Sequence, residues 1–227
     1  MYESSKTAEI RGEAFIEKYL RGRVIDIGSG NDLVCPNAEG FDLEDGDANY
    51  ITRFRQENTY DTVHSSHCLE HMHNPKWSLL EWWKLIKPGG YLILVVPDED
   101  LYEQGFWPSI FNGDHKNTFT LKNEKSSSPV SHNIYDLVLQ LPHSEVISAE
   151  VQDRGYDYKY KHSNTIKALN KTPIWFRIFR KLSYKYKFLD SLLERFQKVL
   201  FISHQIPFDQ TMRNAVAQIQ VVARKIR

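Results

Sequence analysis

Three groups of residues in this 227-residue chain have the types and spacing to do chemistry. The first is Asp26-Ile-Gly28-Ser-Gly30, where two glycines allow a tight turn and a close approach by a ligand. Asp42, then Asp47-Ala48, follow where an acid can meet a ribose diol. The second group is His64, His67, His71 and His73, with Glu70 among them. His67 and His71 are four apart, so on a helix they can share a metal ion. The alternative, which the sequence alone favours, is that no metal binds, His71 packs at a strand exit and Glu70 is a local hydrogen-bonding residue. The third group is Asp114-His115-Lys116, whose ionisable neighbours can set the tautomer and proton affinity of the histidine. His132 and His143 are weaker candidates for the same work. Asp98 and Tyr102, in Asp98-Glu-Asp-Leu-Tyr102, can bind hydroxyls or an amine; acids there also suit the first turn of a helix.

Such groups need a scaffold. Residues 6–20 read as an amphipathic helix carrying Ile10, Ile16, Tyr19 and Leu20, and Gly22 ends it. Val24-Ile-Asp-Ile27 is a short buried strand running into the glycine turn. Glu39–Leu43 and Tyr60–Ser65 are further strands, and residues 75–86 form a helix with Leu79, Trp82, Trp83 and Ile86 on one face. Lys87-Pro-Gly-Gly90 breaks the chain before a strand over Tyr91–Val96. Strand, turn, helix and strand in alternation imply a parallel sheet with helices on its faces. Beyond it, residues 98–133 read as polar and aromatic loop, 133–141 as a short helix, and Ile147, Ala149 and Val151 as a strand. A helical stripe occupies about 171–201, and Ala215–Ala223 is a closing β-run.

The composition is that of an ordinary globular protein, 41% hydrophobic and 26% charged. With 29 basic and 29 acidic side chains there is no overall field for nucleic acid. The balance is local: residues 171–198 hold eight basic and two acidic groups. That stretch is read as a packed helical insertion or lid; contact with an anionic membrane is the lesser option, and a homodimer remains open. Cys35 and Cys68 lack metal-type spacing and imply a reducing compartment. The charged N-terminus has no long apolar run, which makes the cytoplasm the expected location.

Taken in order, DIGSG, FDLEDGDA, YDTVHSSHCLEHMHNP and LIKPGGYLILVVP resemble the class I S-adenosylmethionine (SAM)-dependent methyltransferases, in the subgroup with L-E-H after the fourth strand and K-P-G-G before the fifth. The resemblance implies a Rossmann-like sheet of seven strands, mostly parallel with the last antiparallel, helices on both faces and a helical insertion before the last strand. It implies one domain over 1–227, with its core in about 20–100, 144–152 and 214–225 and an acceptor-side loop at 98–133. The cofactor would be SAM. Asp26, Gly28 and Gly30 would line its methionine end and Asp42 its ribose. Leu43, Asp47 and Ala48 would meet the adenine, and Ser65, Ser66 and His67 the sulfonium. Gly28 and Asp42 are 14 positions apart, fewer than the ~20 of a dinucleotide fingerprint, so Glu44 stands as a substitute for Asp42.

The stretch from PDEDLYEQGFWPSIFN through DHKNTFT is similar to methyltransferases found with bacterial capsule and lipopolysaccharide enzymes. This implies a polar or sugar-linked acceptor, methylated on oxygen first and nitrogen second. His115, then His67, would be the catalytic base; Asp98, Tyr102, Asp114 and Lys116 would hold the acceptor. The rival reading is a binding module that keeps the fold without catalysis.

Overall fold

The computed structural model describes residues 3–122, 126, 128–161, 195–199, 207–212 and 214–227. Its centre is a six-stranded sheet in the order β2-β1-β3-β4-β8-β7: β1 is Val24–Ile27, β2 Glu39–Phe41, β3 Tyr60–Ser66, β4 Ile86–Pro97, β7 Ser144–Gln152 and β8 Gln218–Lys225. The first four run parallel, and β8 is antiparallel to β4 and β7 on either side of it. A separate parallel pair joins β5 (Thr118–Thr120) to β6 (Ser131–Asn133) within the predicted loop.

Six strands stand where seven were expected. After Phe41 the chain enters Asp-Leu-Glu-Asp-Gly-Asp, whose side chains bond their own backbone instead of a neighbouring strand. Asp42 accepts from the Leu43 amide at 2.7 Å, Asp45 from the Asp42 amide at 3.0 Å, and Asp47 caps a 3-10 segment over Ala48–Arg53. The return to β3 is spent on turns, so β2 is left as the sheet edge.

The sheet is covered on both faces. One face packs on α3 (Pro75–Lys84) and α4 (Ile134–Leu139): Trp82, Trp83 and Leu79 meet Ile25, Val63, Leu92, Leu94 and Val221 in one core cluster. Asn74 caps α3 by accepting from the Trp77 amide, and Pro75 opens it, where its missing N–H costs no bond. The other face, with Val24, Ile93 and Val222, packs on Tyr19 and Leu20. There the predicted helix is two short ones, α1 (Glu3–Ala8) and α2 (Glu13–Tyr19), divided at Gly12; Ile16 faces solvent. Lys-Pro-Gly-Gly does not stop β4 but shifts its register: Tyr60 pairs with Ile86, yet Thr62 pairs with Tyr91.

The insertion predicted at 171–201 lies outside the described residues except for a helical turn at 195–199. No helix among the described residues is long and apolar enough to cross a membrane.

Candidate active site

In this strand order the chain leaves β1 toward β2 on one side and β3 on the other, so the carboxyl ends of β1 and β3 flank a crevice. A cavity of about 470 Å³ opens there. Gly28, Phe41, Asp42, Leu43, Asp47, Ala48, His67, His71, Asp114 and Lys116 contribute to its wall.

The glycine turn is held from several directions. Gly28 has φ +75° and Gly30 φ +53°, both left-handed. The Gly28 amide donates to Phe41 at 2.8 Å, and the Gly30 amide to Asp42 Oδ2 at 2.8 Å. A Cβ added at Gly28 would lie 2.6 Å from Cys68 Cβ. Asp42 therefore braces the turn with Oδ2, accepts from the Leu43 amide with Oδ1, and keeps further lone pairs for a ligand. Leu43 stands 89% exposed at the rim. Glu44 is exposed and does not line the cavity.

Several predicted residues lie behind the cavity wall. Asp26 is fully buried, accepting from the Val34 amide at 2.6 Å and from His64 Nδ1 at 2.6 Å. Beyond His64 come Arg11 and Gln220 in one chain of bonds. Burial pushes His64 below the ordinary imidazole value and Arg11 down to about 10. Ser65 donates to the Ile27 carbonyl, and Ser66 is buried. Asp98 is buried as well: it caps the turn at Glu99–Glu103 by accepting from Leu101, and burial pushes its carboxyl up to about 6. Tyr102 lies against the His115 ring, with centroids 5.3 Å apart.

Two of the three sequence groups converge on Glu70. A 3-10 turn at Leu69–His71 follows β3, and the amides of Lys116 and Asn117 both donate to the Glu70 carbonyl. That lacing brings the His115 loop onto the L-E-H turn. His115 is buried; its Nδ1 donates to Glu103 Oε1 at 2.8 Å, and its Nε2 lies 4.0 Å from Glu70 Oε1. His71 Nδ1 meets Asp114 Oδ2 at 3.0 Å and the Asp114 carbonyl at 3.1 Å, leaving Nε2 3.9 Å from Glu70 Oε1. His67, left-handed at φ +53°, joins Gln218 Oε1 through Nε2 and places Nδ1 3.6 Å from Glu70 Oε1. Glu70 is 1% exposed, and neither carboxylate oxygen has a hydrogen-bond partner among the described residues.

Sequence reasoning named His115 and His67 but gave Glu70 and His71 only local roles, and it gave Glu103 none. The spacing His67-x-x-Glu70-His71 was a usable signal for the first two. No pattern marks Glu103, which meets His115 from 12 residues upstream.

A family profile described as a methyltransferase domain matches residues 6–149. The chain belongs to that family. Its methyl donor is SAM. The cavity fits such a ligand in volume, in its acidic groups at Asp42 and Asp47, and in its position at the strand ends. No curated protein matches the methyltransferase in sequence. Similar solved structures include a SAM-dependent methyltransferase from Archaeoglobus fulgidus, 14% identical, with 97% of this chain and 93% of that one covered and a TM-score of 0.47. Another, a candidate methyltransferase from Bacillus halodurans, is 12% identical over 99% of both chains, with a TM-score of 0.48.

Proposed function

We propose that this methyltransferase methylates a hydroxyl of a polar small-molecule or sugar-linked acceptor, with an amine as the second choice, in the assembly of a bacterial surface polysaccharide. In this reading Asp42 takes the ribose hydroxyls of SAM, and Leu43, Asp47 and Ala48 border the adenine. Gly28 and Gly30 shape the methionine end, braced by Asp26, Ser65 and Ser66. His67 borders the reacting centre. Tyr102, Asp114 and Lys116 orient the acceptor, with Asp98 behind them.

Bound SAM supplies a methyl carbon already activated by its sulfonium: the acceptor oxygen's lone pair forms the C–O bond, the C–S pair returns to sulfur, and the hydroxyl proton leaves. An amine needs only to arrive neutral, whereas a hydroxyl needs its proton removed. The observation that carries the oxygen reading is the group of His67, Glu70, His71 and His115 beside the cavity, all proton acceptors, with Glu70 and His115 buried and His67 and His71 half-buried. His115, held by Glu103 and with Nε2 turned inward, is the first choice for activating the hydroxyl, and His67 the second. The sugar reading rests on the likeness of residues 97–120 to capsule and lipopolysaccharide methyltransferases and on the charged side chains of Asp114 and Lys116 at the cavity wall.

Incubation with SAM and a panel of nucleotide sugars, glycosides and matched amino sugars tests this. Release of S-adenosylhomocysteine (SAH) together with a methyl ether in the mass and NMR spectra is expected. Methylation confined to the amino group would overturn the oxygen reading.

A further inference from the structure

We infer that Glu70, His71 and His115 form the ligand set for one divalent transition-metal ion of the zinc type, open to the cavity on the His67 side. One coordinating atom from each of the three lies within 4.8 Å of the other two. Tetrahedral zinc with bonds of about 2.0–2.1 Å sets its ligand atoms about 3.4 Å apart. The measured 3.9 and 4.0 Å from Glu70 Oε1 to the two Nε2 atoms are about half an ångström longer, within the reach of side-chain adjustment.

The hydrogen bonds around the cluster decide which atoms face inward. Glu103 accepts from His115 Nδ1, and Asp114 from His71 Nδ1, so each Nε2 carries a lone pair toward Glu70. Carboxylates behind ligating histidines are the usual outer support of a metal site. Gln218 uses its amide nitrogen to donate to Thr7 and Gln152, so its Oε1 accepts from His67 Nε2, and His67 Nδ1 also faces Glu70 with a lone pair. Three imidazole lone pairs thus surround, at 3.6–4.0 Å from Oε1, a buried carboxylate whose two oxygens have no hydrogen-bond partner among the described residues. A buried anion without donors is strongly unfavourable, and a cation bound by the same atoms removes the penalty. His67 and His71 line the cavity together with Asp114 and Lys116, which hold the acceptor in the proposed function, so an open coordination position faces the acceptor.

The ion's role deepens the proposed function and rests on its hydroxyl acceptor. A hydroxyl that reaches the ion loses its proton to solvent more readily. Its oxygen pair then forms the C–O bond as the C–S pair returns to sulfur. His115 is in that case a ligand and not the base.

The test uses untagged full-length protein, stripped with a chelator and dialysed. Zn²⁺ is titrated against a chromophoric chelator, and SAH binding is measured on the same samples by calorimetry. Wild type should take up one equivalent. Glu70→Gln and His115→Ala should weaken uptake by at least about 100-fold, and Glu103→Gln by about 10–100-fold, while SAH still binds. His132→Ala should leave uptake unchanged. Independently of any variant, X-ray absorption of the Zn²⁺-loaded wild type should show a nitrogen and oxygen first shell with two imidazoles. No stoichiometric uptake, equal uptake by Glu70→Gln and His115→Ala, or a sulfur ligand from nearby Cys68 would overturn the inference. Methyl-ether formation by a protein that takes up no zinc would sink the site and leave the proposed function standing. Zinc uptake without methylation of any hydroxyl would do the reverse.

Discussion

Glu103 Oε1 holds His115 Nδ1 at 2.8 Å, which fixes the plane of the ring and turns its other nitrogen toward Glu70. Both partners are nearly inaccessible, with side-chain exposures of 2% and 4%.

His115→Ala should cut turnover on a hydroxyl acceptor by about 10²–10⁴-fold, the scale of a positioned base, and leave SAH affinity near wild type. Glu103→Gln should give a smaller loss, because the amide oxygen can still accept from Nδ1. Initial rates and calorimetry check both. Near-normal turnover in His115→Ala would place activation of the hydroxyl elsewhere.

Asp42→Ala should weaken SAM by about 1.5–3 kcal/mol, as for hydrogen bonds to a charged group. Glu44→Ala should have no effect, since Glu44 is exposed and does not line the cavity. The two dissociation constants, measured side by side, decide between the acids. A loss seen only in Glu44→Ala would move the ribose contact.

Gly28→Ala should lower both SAM affinity and the thermal midpoint. The residue's φ of +75° disfavours any side chain, and the new Cβ would lie 2.6 Å from Cys68 Cβ. Adding Cys68→Ala should not restore the midpoint, because the Cβ–Cβ clash survives removal of the sulfur. Full recovery in the double variant would show that only the sulfur was in the way.

Asp98 gives a stability effect with a definite sign. Its folded carboxyl titrates at about 6 against 3.8 for the unfolded chain, because burial penalises the charge. The folded state therefore binds the proton more tightly. This contribution is fully present below pH 3.8 and is lost as pH rises to about 6. Asp98→Asn keeps an oxygen for the Leu101 amide and removes the charge. It should stabilise the protein at pH 7 by at most about 3 kcal/mol and change little near pH 4. Denaturant unfolding at the two pH values reads the difference, and equal effects at both would contradict it.

Much of the scaffold was legible in the chain because its signals are local. Leu79, Trp82 and Trp83 recur at helical spacing, and all three are buried on α3. Val24–Ile27 is apolar enough to be an inner strand, and the two glycines after it take the left-handed angles that other residues avoid. The strand count was not legible in the same way. Whether residues 42–59 form a seventh strand depends on competition between side-chain turns and an edge pairing, and the acids of that segment decide it for the turns.

Which residues share a site was beyond the sequence for a different reason. Asp26 sits in the motif itself, yet its side chain follows the pleat inward to His64, because alternate residues of a strand face opposite sides. His67 and Gln218 meet across 151 residues, and His71 meets the Asp114 carbonyl across 43. Those meetings follow from the registers of β3, β4 and β8 and from the loop that the Glu70 carbonyl pins. The amino-acid sequence by itself determined the turn, the strands and the residue types able to do the chemistry. Only the tertiary structure decided that Glu70 would lie among three imidazoles, because long-range proximity is set by sheet register and loop closure, which leave no periodic trace in the chain.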